Sequence, residues 1–397
     1  MSDNKRVFWA CTAIIFCNEG EHLGAFNDAN CETAFGVQSV GITTTFNLEQ
    51  VFELGQIGIY ENIEEVPDIE VTIEKVLDGN HLLYDLATDS SGIDPGDGGD
   101  IDMVARANDR KDVYFSVQDE TDQSVDQHGM ICYCSGMYVS SFSYTLPNEG
   151  NCTESLTLVG NDKLWKSGGK HRGGGWDSVG GAAVGTSVED ANRLDHLTIA
   201  PPSTPWPNDF GDIGSEDVPP TYDAVVAGRY DTAGVQRREN VRLNLSIIPD
   251  DIFGVTSNAV DGANNDDVHL NSITINGDLG REAINELGSK LPYYRYVTFP
   301  VEIGCDIEVT TISGDLVDAG SHRNNLANQR IYIALDDTTT FDLGNKNKLN
   351  SVTYTGASTG GENATVTYSY QGFNSFTVNG PNPVSYTHLT LPTIYSV

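Results

Sequence analysis

The chain has 397 residues, enough for two or three domains with separate hydrophobic cores. Hydrophobic residues make up 39% of it and charged residues 20%, which is typical of a folded protein. Its 57 acidic residues outnumber its 22 lysines and arginines, giving a formal net charge of −35. Wrapping nucleic acid requires a basic surface, so this charge argues against a nucleic-acid-binding protein. The same charge favours a surface that repels DNA.

The N-terminal segment allows two interpretations. Lys5 and Arg6 precede the apolar run of residues 7–17, which is the arrangement of a secretory signal peptide. No small-residue cleavage site follows the run directly, so we favour a buried first strand. No other segment approaches the ~20 apolar residues that a membrane-spanning helix needs.

An internal repeat is the most informative feature of the sequence. Residues 39–60 match residues 272–293 at a constant offset of 233, with seven identities in 22 positions. Ordinary composition would give roughly one or two. The identical pairs are Ser39/Ser272, Ile42/Ile275, Glu49/Glu282, Glu53/Glu286, Leu54/Leu287, Gly55/Gly288 and Tyr60/Tyr293.

Further matches continue this repeat in chain order. They pair residues 7–14 with 241–248, 113–119 with 331–337, and 141–145 with 351–355, at offsets of 234, 218 and 210. Falling offsets are expected if the second copy has shorter loops. We therefore predict two homologous domains in tandem, one over residues 1–165 and one over residues 236–380.

The hydrophobic pattern within each copy is mostly that of β-strands. Apolar and polar residues alternate in four segments, residues 67–74, 113–117, 141–145 and 364–370. Two segments, 48–55 and 281–288, are helix-like instead, because each is short, acidic and closed by a glycine. The sequence thus predicts a mainly β fold with two β-barrel or β-sandwich domains, each with a short flanking helix.

Two further segments differ in composition from these copies. Residues 166–235 contain seven glycines between 166 and 181 and six prolines between 200 and 220, so we interpret them as a Gly/Pro-rich insert or linker that joins the domains. Residues 384–397 begin with VSYTHLTLPT, a string that a common sequencing adapter encodes. We expect this tail to be an artefact and exclude it from the fold.

Four strings resemble tail tube proteins of tailed bacteriophages. They are FNLEQVFELGQIGIYENIEEVPDIEVTIEK (46–75), GNCTESLTLVGNDKLW (150–165), LGREAINELGSKLPYYRYVTFPVEIGCDIEV (279–309) and NKLNSVTYTGASTGGENATVTYSY (347–370). The resemblance covers most of residues 1–165 and 236–380. It does not extend to residues 166–235.

This resemblance implies a virion structural protein. In the family, inner sheets of six domains join side to side in a ring, and rings stack into the tube through which DNA leaves the capsid. A chain with two domains implies a pseudo-hexameric ring of three subunits with an acidic lumen. The implied partners are further copies of the chain and other tail proteins such as tape measure, sheath or terminator. DNA would pass without specific binding, no membrane would be involved, and assembly in the host bacterial cytoplasm would precede residence in the virion tail.

Sequence motifs for catalysis or metal binding are weak. Residues 94–102 are rich in carboxylates but lack calcium-loop spacing, and the basic Gly-rich residues 168–175 lack the pattern of a phosphate-binding loop. Cys132 and Cys134 have no second Cys/His pair at zinc spacing. The 7 cysteines, an odd number, favour reduced thiols over a disulfide framework. We expect a protein that is not an enzyme, with no catalytic, cofactor-binding or metal-binding residues and no cofactor.

Two alternatives stay open at this point. One is another virion structural protein, from the neck, the baseplate or the capsid decoration, on the same duplicated fold. The other is a secreted acidic β-sandwich protein that binds a surface glycan or calcium. The second alternative requires residues 7–17 to be a cleaved signal, and it leaves the repeat unexplained.

Overall fold

The fold is known from a computed structural model, in which a defined set of residues is described. These residues are 12–18, 31–55, 57–88, 100–118, 128–167, 177–179, 182–184, 234–243, 269–288, 292, 294–311, 314–315, 317, 328–356 and 363–380. Most of the predicted insert and the whole predicted adapter tail lie outside them. Within the described residues the fold is mainly β, as predicted.

The described elements are strands with two short helices. The strands before the insert are β1 (Thr12–Asn18), β2 (Cys31–Thr33), β3 (Val37–Thr45), β4 (Leu48–Phe52), β5 (Ile59–Glu64), β6 (Asp68–Val76), β7 (Asp100–Asp102), β8 (Arg110–Gln118), β9 (His128–Pro147), β10 (Thr153–Gly160) and β11 (Asp162–Ser167). The helices are α1 (Leu83–Thr88) and α2 (Met103–Arg106). Neither of these helices is long and apolar enough to cross a membrane.

The remaining strands follow residue 176. They are β12 (Asp177–Val179), β13 (Ala182–Val184), β14 (Val241–Leu243), β15 (His269–Asp278), β16 (Arg281–Ile284), β17 (Tyr294–Val297), β18 (Glu302–Thr310), β19 (Tyr332–Leu335), β20 (Thr340–Asp342), β21 (Lys348–Thr355), β22 (Thr365–Phe373) and β23 (Thr377–Asn379). A short 3-10 turn, Arg238–Asn240, precedes β14.

One long row of antiparallel strands organises the molecule. Eight strands follow one another in the order β3-β6-β10-β9-β15-β18-β22-β21. The 20-residue strand β9 extends beyond the row, where it pairs with β8 and β11. Strand β8 continues to β1 and β2. A second sheet has the order β14-β19-β20-β23-β7, and β4–β5 and β16–β17 are two separate hairpins.

The hydrophobic core lies on one face of this row. Strict alternation buries every second residue, as in β6, where Val71 and Ile73 are buried and their neighbours are exposed. Aromatic rings from the row meet rings from the second sheet region. Phe142 stacks on Phe376 with ring centroids 4.8 Å apart, and Tyr144 lies 4.6 Å from Phe341. The two sheets therefore share one core.

The pairing of β3 with β6 recurs in the pairing of β15 with β18. An irregularity lies directly before Ser39 in the first pair and directly before Ser272, 233 residues later, in the second. The Ser39 hydroxyl donates to a Glu74 carboxylate oxygen over 3.2 Å, and the Ser272 hydroxyl donates to Glu308 over 3.3 Å. The two strand pairs thus share register, irregularity and side-chain contact.

The pairing of β9 with β10 recurs in the pairing of β21 with β22. The bulge between Val139 and Ser141 in the first pair corresponds to the bulge between Leu349 and Ser351 in the second, 210 residues later. Each half of the row therefore contains four strands in the same spatial order.

The prediction of two short helices is wrong. Residues 48–55 and 281–288 begin the β-hairpins β4–β5 and β16–β17 instead. The return strands contain Ile, Tyr and Val, whose preference for pleated strands and cross-strand contacts outweighs the helix-like pattern of the first strands. A pattern of eight residues cannot reveal the partner strand that follows it.

Gly55 and Gly288 nevertheless occupy corresponding places. Their φ angles are +91° and +95°, a left-handed conformation that glycine adopts without strain, and each lies past the first strand of its hairpin. The hairpins share one register at the offset of 233, since Leu48 pairs with Glu64 and Arg281 pairs with Val297. The glycines are turn residues and not helix ends.

Strand pairing aligns these two segments differently from the predicted match of residues 7–14 with 241–248. Leu243 lies opposite Ile333 in β19, and Ile14 lies opposite Phe115 in β8. Since Phe115 and Ile333 are related by the offset of 218, Leu243 corresponds to Ile14. The offset in this segment is therefore 229 and not 234. Residues 14–17 are all buried, so no alternation fixed the register from sequence.

The expectation of reduced thiols is confirmed for four cysteines and wrong for one. The free and buried cysteines among the described residues are Cys132, Cys134, Cys152 and Cys305. Cys17 is disulfide-bonded, and it lies opposite Cys31 in the pairing of β1 with β2. An odd cysteine count gives no sign of this disulfide.

Candidate assembly surfaces

The joint between β9 and β15 unites the two halves of the row. Tyr144 lies opposite Ile275, and both side chains are 0% exposed. Gly277 lies opposite Phe142, where a Cβ atom on the glycine would come within 2.5 Å of the phenylalanine ring. The joint is therefore packed as closely as a protein core, and it continues the sheet without a gap.

The two ends of the row are open strand edges. Among the described residues, β3 pairs only with β6, and β21 pairs only with β22. Strand β3 carries no charged residue, and β21 carries one, Lys348. Tyr354 on β21 is 50% exposed. Charged side chains usually protect such edges against pairing with other strands. These two edges carry almost no charge, although the net charge of the chain is −35.

The solvent-facing side of the row is polar and acidic. Its central strands present hydroxyls and amides, for example Thr145 opposite Thr274 and Ser143 opposite Asn276. Seven carboxylates share this side: Asp68, Glu70, Glu74, Asp278, Glu302, Asp306 and Glu308. Lys348, at the end of β21, is the basic residue on this side within the described row. A surface of this charge repels phosphate.

The hairpin β16–β17 is docked on the first half of the chain. The Arg281 Nε donates to the Val139 carbonyl over 2.6 Å, and the Tyr294 hydroxyl donates to the Asn108 carbonyl over 2.8 Å. The rings of Tyr294 and Tyr138 meet edge to face with centroids 5.4 Å apart. These contacts bind the hairpin β16–β17 to β9 and to the loop before β8.

Cations strengthen this docking. The Arg281 guanidinium lies 5.2 Å from the centroid of the Tyr138 ring, and burial lowers the pKa of Arg281 to about 10. Arg295 donates to Asp68 over 2.7 Å and to the Asn161 side chain over 3.1 Å. The hairpin therefore joins the two halves by aromatic and charged contacts.

Within the described residues, the hairpin β4–β5 is not covered in the same way. Most of its side chains are exposed, and several of them are large and apolar: Phe46, Leu48, Phe52, Leu54, Ile57, Ile59, Tyr60 and Ile63. A cleft of about 430 Å³ lies between the hairpins, lined in part by Asn47, Glu64 and Ala283. Contiguous exposed apolar surface of this kind marks an interaction site.

A buried carboxylate holds helix α1 against the row. Glu154 accepts hydrogen bonds from the backbone N–H groups of Leu83 and Tyr84 over 2.7 and 2.9 Å, and from the Tyr144 hydroxyl over 2.9 Å. Burial raises the pKa of Glu154 above its ordinary value. The carboxylate thus connects the helix to the residue that forms the centre of the β9–β15 joint.

A buried ammonium group supports the loop before α1. Lys75 is 0% exposed, and its Nζ donates to the His81 carbonyl over 2.6 Å. The same nitrogen lies 3.3 Å from a carboxylate oxygen of Asp78. The pair is completely enclosed, so its role is structural.

The segments considered for chemistry in the sequence provide no assembled site. Residues 94–99 and 168–175 lie outside the described residues, whereas Cys132 and Cys134 are buried in β9. No group of three or more His, Cys, Asp or Glu side chains in the described part of the chain is arranged to hold a metal ion. The expectation of no catalytic or metal site stays a prediction.

Sequence reasoning missed the surfaces that matter here. Two features, the joint at Tyr144 and Ile275 and the docking of Arg281, depend on which strands become neighbours. The local periodicity of a sequence does not indicate the order of strands in a sheet. The available signal was the repeat itself, because corresponding positions that differ in polarity, such as Leu48 and Arg281, indicate different surroundings.

Comparisons with known proteins give low similarity. No protein-family model matches the chain, and no curated protein sequence matches it. Among solved structures, the chain is similar to a subunit of the anti-feeding prophage tube-terminating cap, with 9% identity, a TM-score of 0.29, and coverage of 42% of this chain and 95% of that one. It is similar to a subunit of the anti-feeding prophage baseplate, with 12% identity, a TM-score of 0.29, and coverage of 41% and 97%. It is also similar to a chain of the extended PVC sheath–tube complex of an extracellular contractile injection system, with 10% identity, a TM-score of 0.28, and coverage of 42% and 94%.

Proposed function

We propose that the chain is a structural subunit of a phage tail, a tail tube protein with two copies of one domain over residues 1–165 and 236–380. The observation that carries the proposal is the joint of β9 with β15 inside the chain. It is a side-to-side union of two four-strand units, and each unit would be one copy. Residues 166–235 would be an insert outside the common domain.

The same joint would form between chains. Strand β21 corresponds to β9 at the offset of 210, and β3 corresponds to β15 at the offset of 233. Applying these offsets to the pairs of the internal joint gives the pairs Gly41–Thr355, Ile42–Tyr354, Thr43–Thr353, Thr44–Val352 and Thr45–Ser351 between neighbouring chains. The open edges of one chain thus complete each other in a second copy.

The side chains at these edges are compatible with such pairing. Ile42 and Tyr354 would be covered as Ile275 and Tyr144 are in the internal joint. The other pairs are uncharged, so the high net charge does not oppose contact along the edge. A closed ring leaves no unpaired edge, which explains why a soluble chain can carry two unprotected ones.

Ring closure would bring the polar faces of all chains to the same side of the ring. If each chain supplies two of six units, three chains complete the circle. With the acidic side of the row facing the lumen, the bore would repel phosphate and let DNA pass without sticking. The opposite side of the row is buried in the core, so the polar side is the one available to line a channel.

Electron microscopy of the purified full chain tests this proposal. We expect rings of three chains with six similar units, stacked into tubes, and more assembly as salt rises, because screening shortens the Debye length from about 10 Å at 0.1 M to about 3 Å at 1 M. Monomers at every salt and protein concentration, or rings of two or four chains, would contradict it. Tight binding of duplex DNA would contradict it as well.

A further inference from the structure

The docked hairpin β16–β17 indicates where the exposed hairpin β4–β5 binds, an inference that rests on the proposed function. The hairpins share one register at the offset of 233, so Glu61 corresponds to Tyr294. Strands β9 and β21 share a bulge at the offset of 210, so Lys348 corresponds to Tyr138. Tyr294 and Tyr138 are in ring contact at 5.4 Å inside the chain. The corresponding contact between chains joins Glu61 to Lys348.

We propose that Glu61 of one copy of the chain forms an ion pair with Lys348 of a second copy. The partner of the β4–β5 hairpin is then the β21 edge of the neighbouring chain, and the ion pair lies beside the strand pairing at that edge. A carboxylate and an ammonium replace the two tyrosines of the internal joint.

Both residues are placed for this contact. Glu61 is exposed on β5, opposite Val51, and Lys348 is exposed as the first residue of β21. Neither forms an ion pair with any residue that the structure describes. Lys348 is also the basic residue of the polar face in this part of the chain, which is otherwise acidic. An isolated cation at an open edge is the expected counterpart of an acidic hairpin.

A second residue of the hairpin, Leu48 opposite Glu64, fits the same surface. Leu48 corresponds to Arg281, whose guanidinium lies over the Tyr138 ring. At the joint between chains, Leu48 would therefore lie along the aliphatic stem of Lys348, which covers apolar surface well. This contact accounts for a leucine that is 58% exposed in the single chain.

The ion pair also distinguishes the two kinds of joint. If the β16–β17 hairpin docked at the β21 edge, Arg281 would face Lys348 and like charges would meet. If β4–β5 docked on Tyr138, Glu61 would lose its counter-charge. Each hairpin is thus matched to one surface, and unmatched combinations are disfavoured by repulsion or desolvation. Strict alternation of first and second copies around a ring follows.

Charge reversal of the full chain tests the pair. Glu61→Lys and Lys348→Glu should each raise the protein concentration at half-assembly by roughly tenfold, equivalent to about 1.4 kcal/mol, as measured by sedimentation velocity. The double variant should return to within about a factor of two of the wild-type value, because the opposite charges are restored. Glu302→Lys on β18 and Lys346→Glu, two residues before β21, are control reversals at exposed positions, and they should leave assembly unchanged.

The outcomes separate this inference from the proposed function. Thermal unfolding of the unassembled variants should match that of the wild type, since both residues are exposed. Glu61→Gln and Lys348→Gln are milder variants for the measurement of assembly. Single reversals that assemble like wild type, or a double variant that is not rescued, would overturn the ion pair while rings still form. A wild-type chain that never forms rings would overturn the proposed function instead.

Discussion

Tyr144 and Ile275 lie directly opposite each other across the joint of β9 with β15, and both are completely buried. The corresponding residues at the free ends of the row, Tyr354 and Ile42, lie at open edges, and Tyr354 is half-exposed. The pair of Tyr144 and Ile275 is therefore covered within the chain, whereas Tyr354 and Ile42 are available to a neighbouring chain. The proposed lateral contact between chains accounts for this difference.

A charge placed on the β21 edge should block assembly without unfolding the chain. In Tyr354→Glu, a carboxylate would replace a ring that becomes buried only between chains, and an unpaired buried charge is strongly unfavourable. We expect rings to disappear in electron micrographs while the thermal unfolding temperature of the single chain stays within about 2 °C of wild type. Thr72→Glu adds the same charge on the exposed face of β6, one strand in from the β3 edge, and should still assemble. Normal rings from Tyr354→Glu would contradict the edge contact.

Two glycines, Gly41 on β3 and Gly277 on β15, should respond differently to a larger side chain. A Cβ on Gly277 meets the Phe142 ring, whereas a Cβ on Gly41 has nothing within 4 Å. Gly277→Val should therefore lower the free energy of unfolding by about 1–3 kcal/mol through overpacking, and Gly41→Val should leave it unchanged within about 0.5 kcal/mol. Urea denaturation measures both. Equal effects at the two positions would show that the internal joint is not tightly packed.

The buried pair of Lys75 and Asp78 should be essential for stability. Lys75→Met removes the ammonium that lies 3.3 Å from the buried Asp78 carboxylate. We expect a loss of about 3–5 kcal/mol in the free energy of unfolding, measured by denaturant titration. Lys346→Met, at an exposed position, is the control and should change little. A loss below about 1 kcal/mol for Lys75→Met would mean that the pair is accessible to water.

Glu154 should make the stability of the fold depend on pH. Burial raises its pKa above the ordinary 4.5, so its protonated form is favoured in the folded state. Its contribution is fully present below pH 4.5 and is lost as pH rises through the folded-state pKa. The free energy of unfolding of wild type minus that of Glu154→Gln should therefore decrease as pH rises above 4.5 in urea titrations. A difference that is constant or grows with pH would reverse the sign of the assigned shift.

The sequence predicted the strands whose alternation is strict, and it failed where long-range pairing decides. Residues 68–76 alternate so regularly that β6 follows from period two alone. The hairpin at Arg281 was predicted as a helix because eight residues contain no sign of the return strand that pairs with them. The register of β14 was misplaced by five residues, since the corresponding strand β1 is buried on both faces. The candidate assembly surfaces could be located only after strand order was known.

The most direct measurement is a disulfide cross-link between the predicted edge partners Thr43 and Thr353. In a Thr43→Cys, Thr353→Cys variant, opposed positions of an antiparallel pair place the thiols within bonding range, so oxidation of assembled protein should yield covalent species that end at three chains. The slipped variant Thr43→Cys, Ser351→Cys keeps the same face but separates the positions diagonally, and should cross-link poorly. Mass photometry under denaturing dilution would count the chains in each species. Covalent trimers from the first variant alone are the predicted result. Equal cross-linking of both variants, or a ladder that continues beyond three chains, would contradict a closed ring built by pairing β21 with β3.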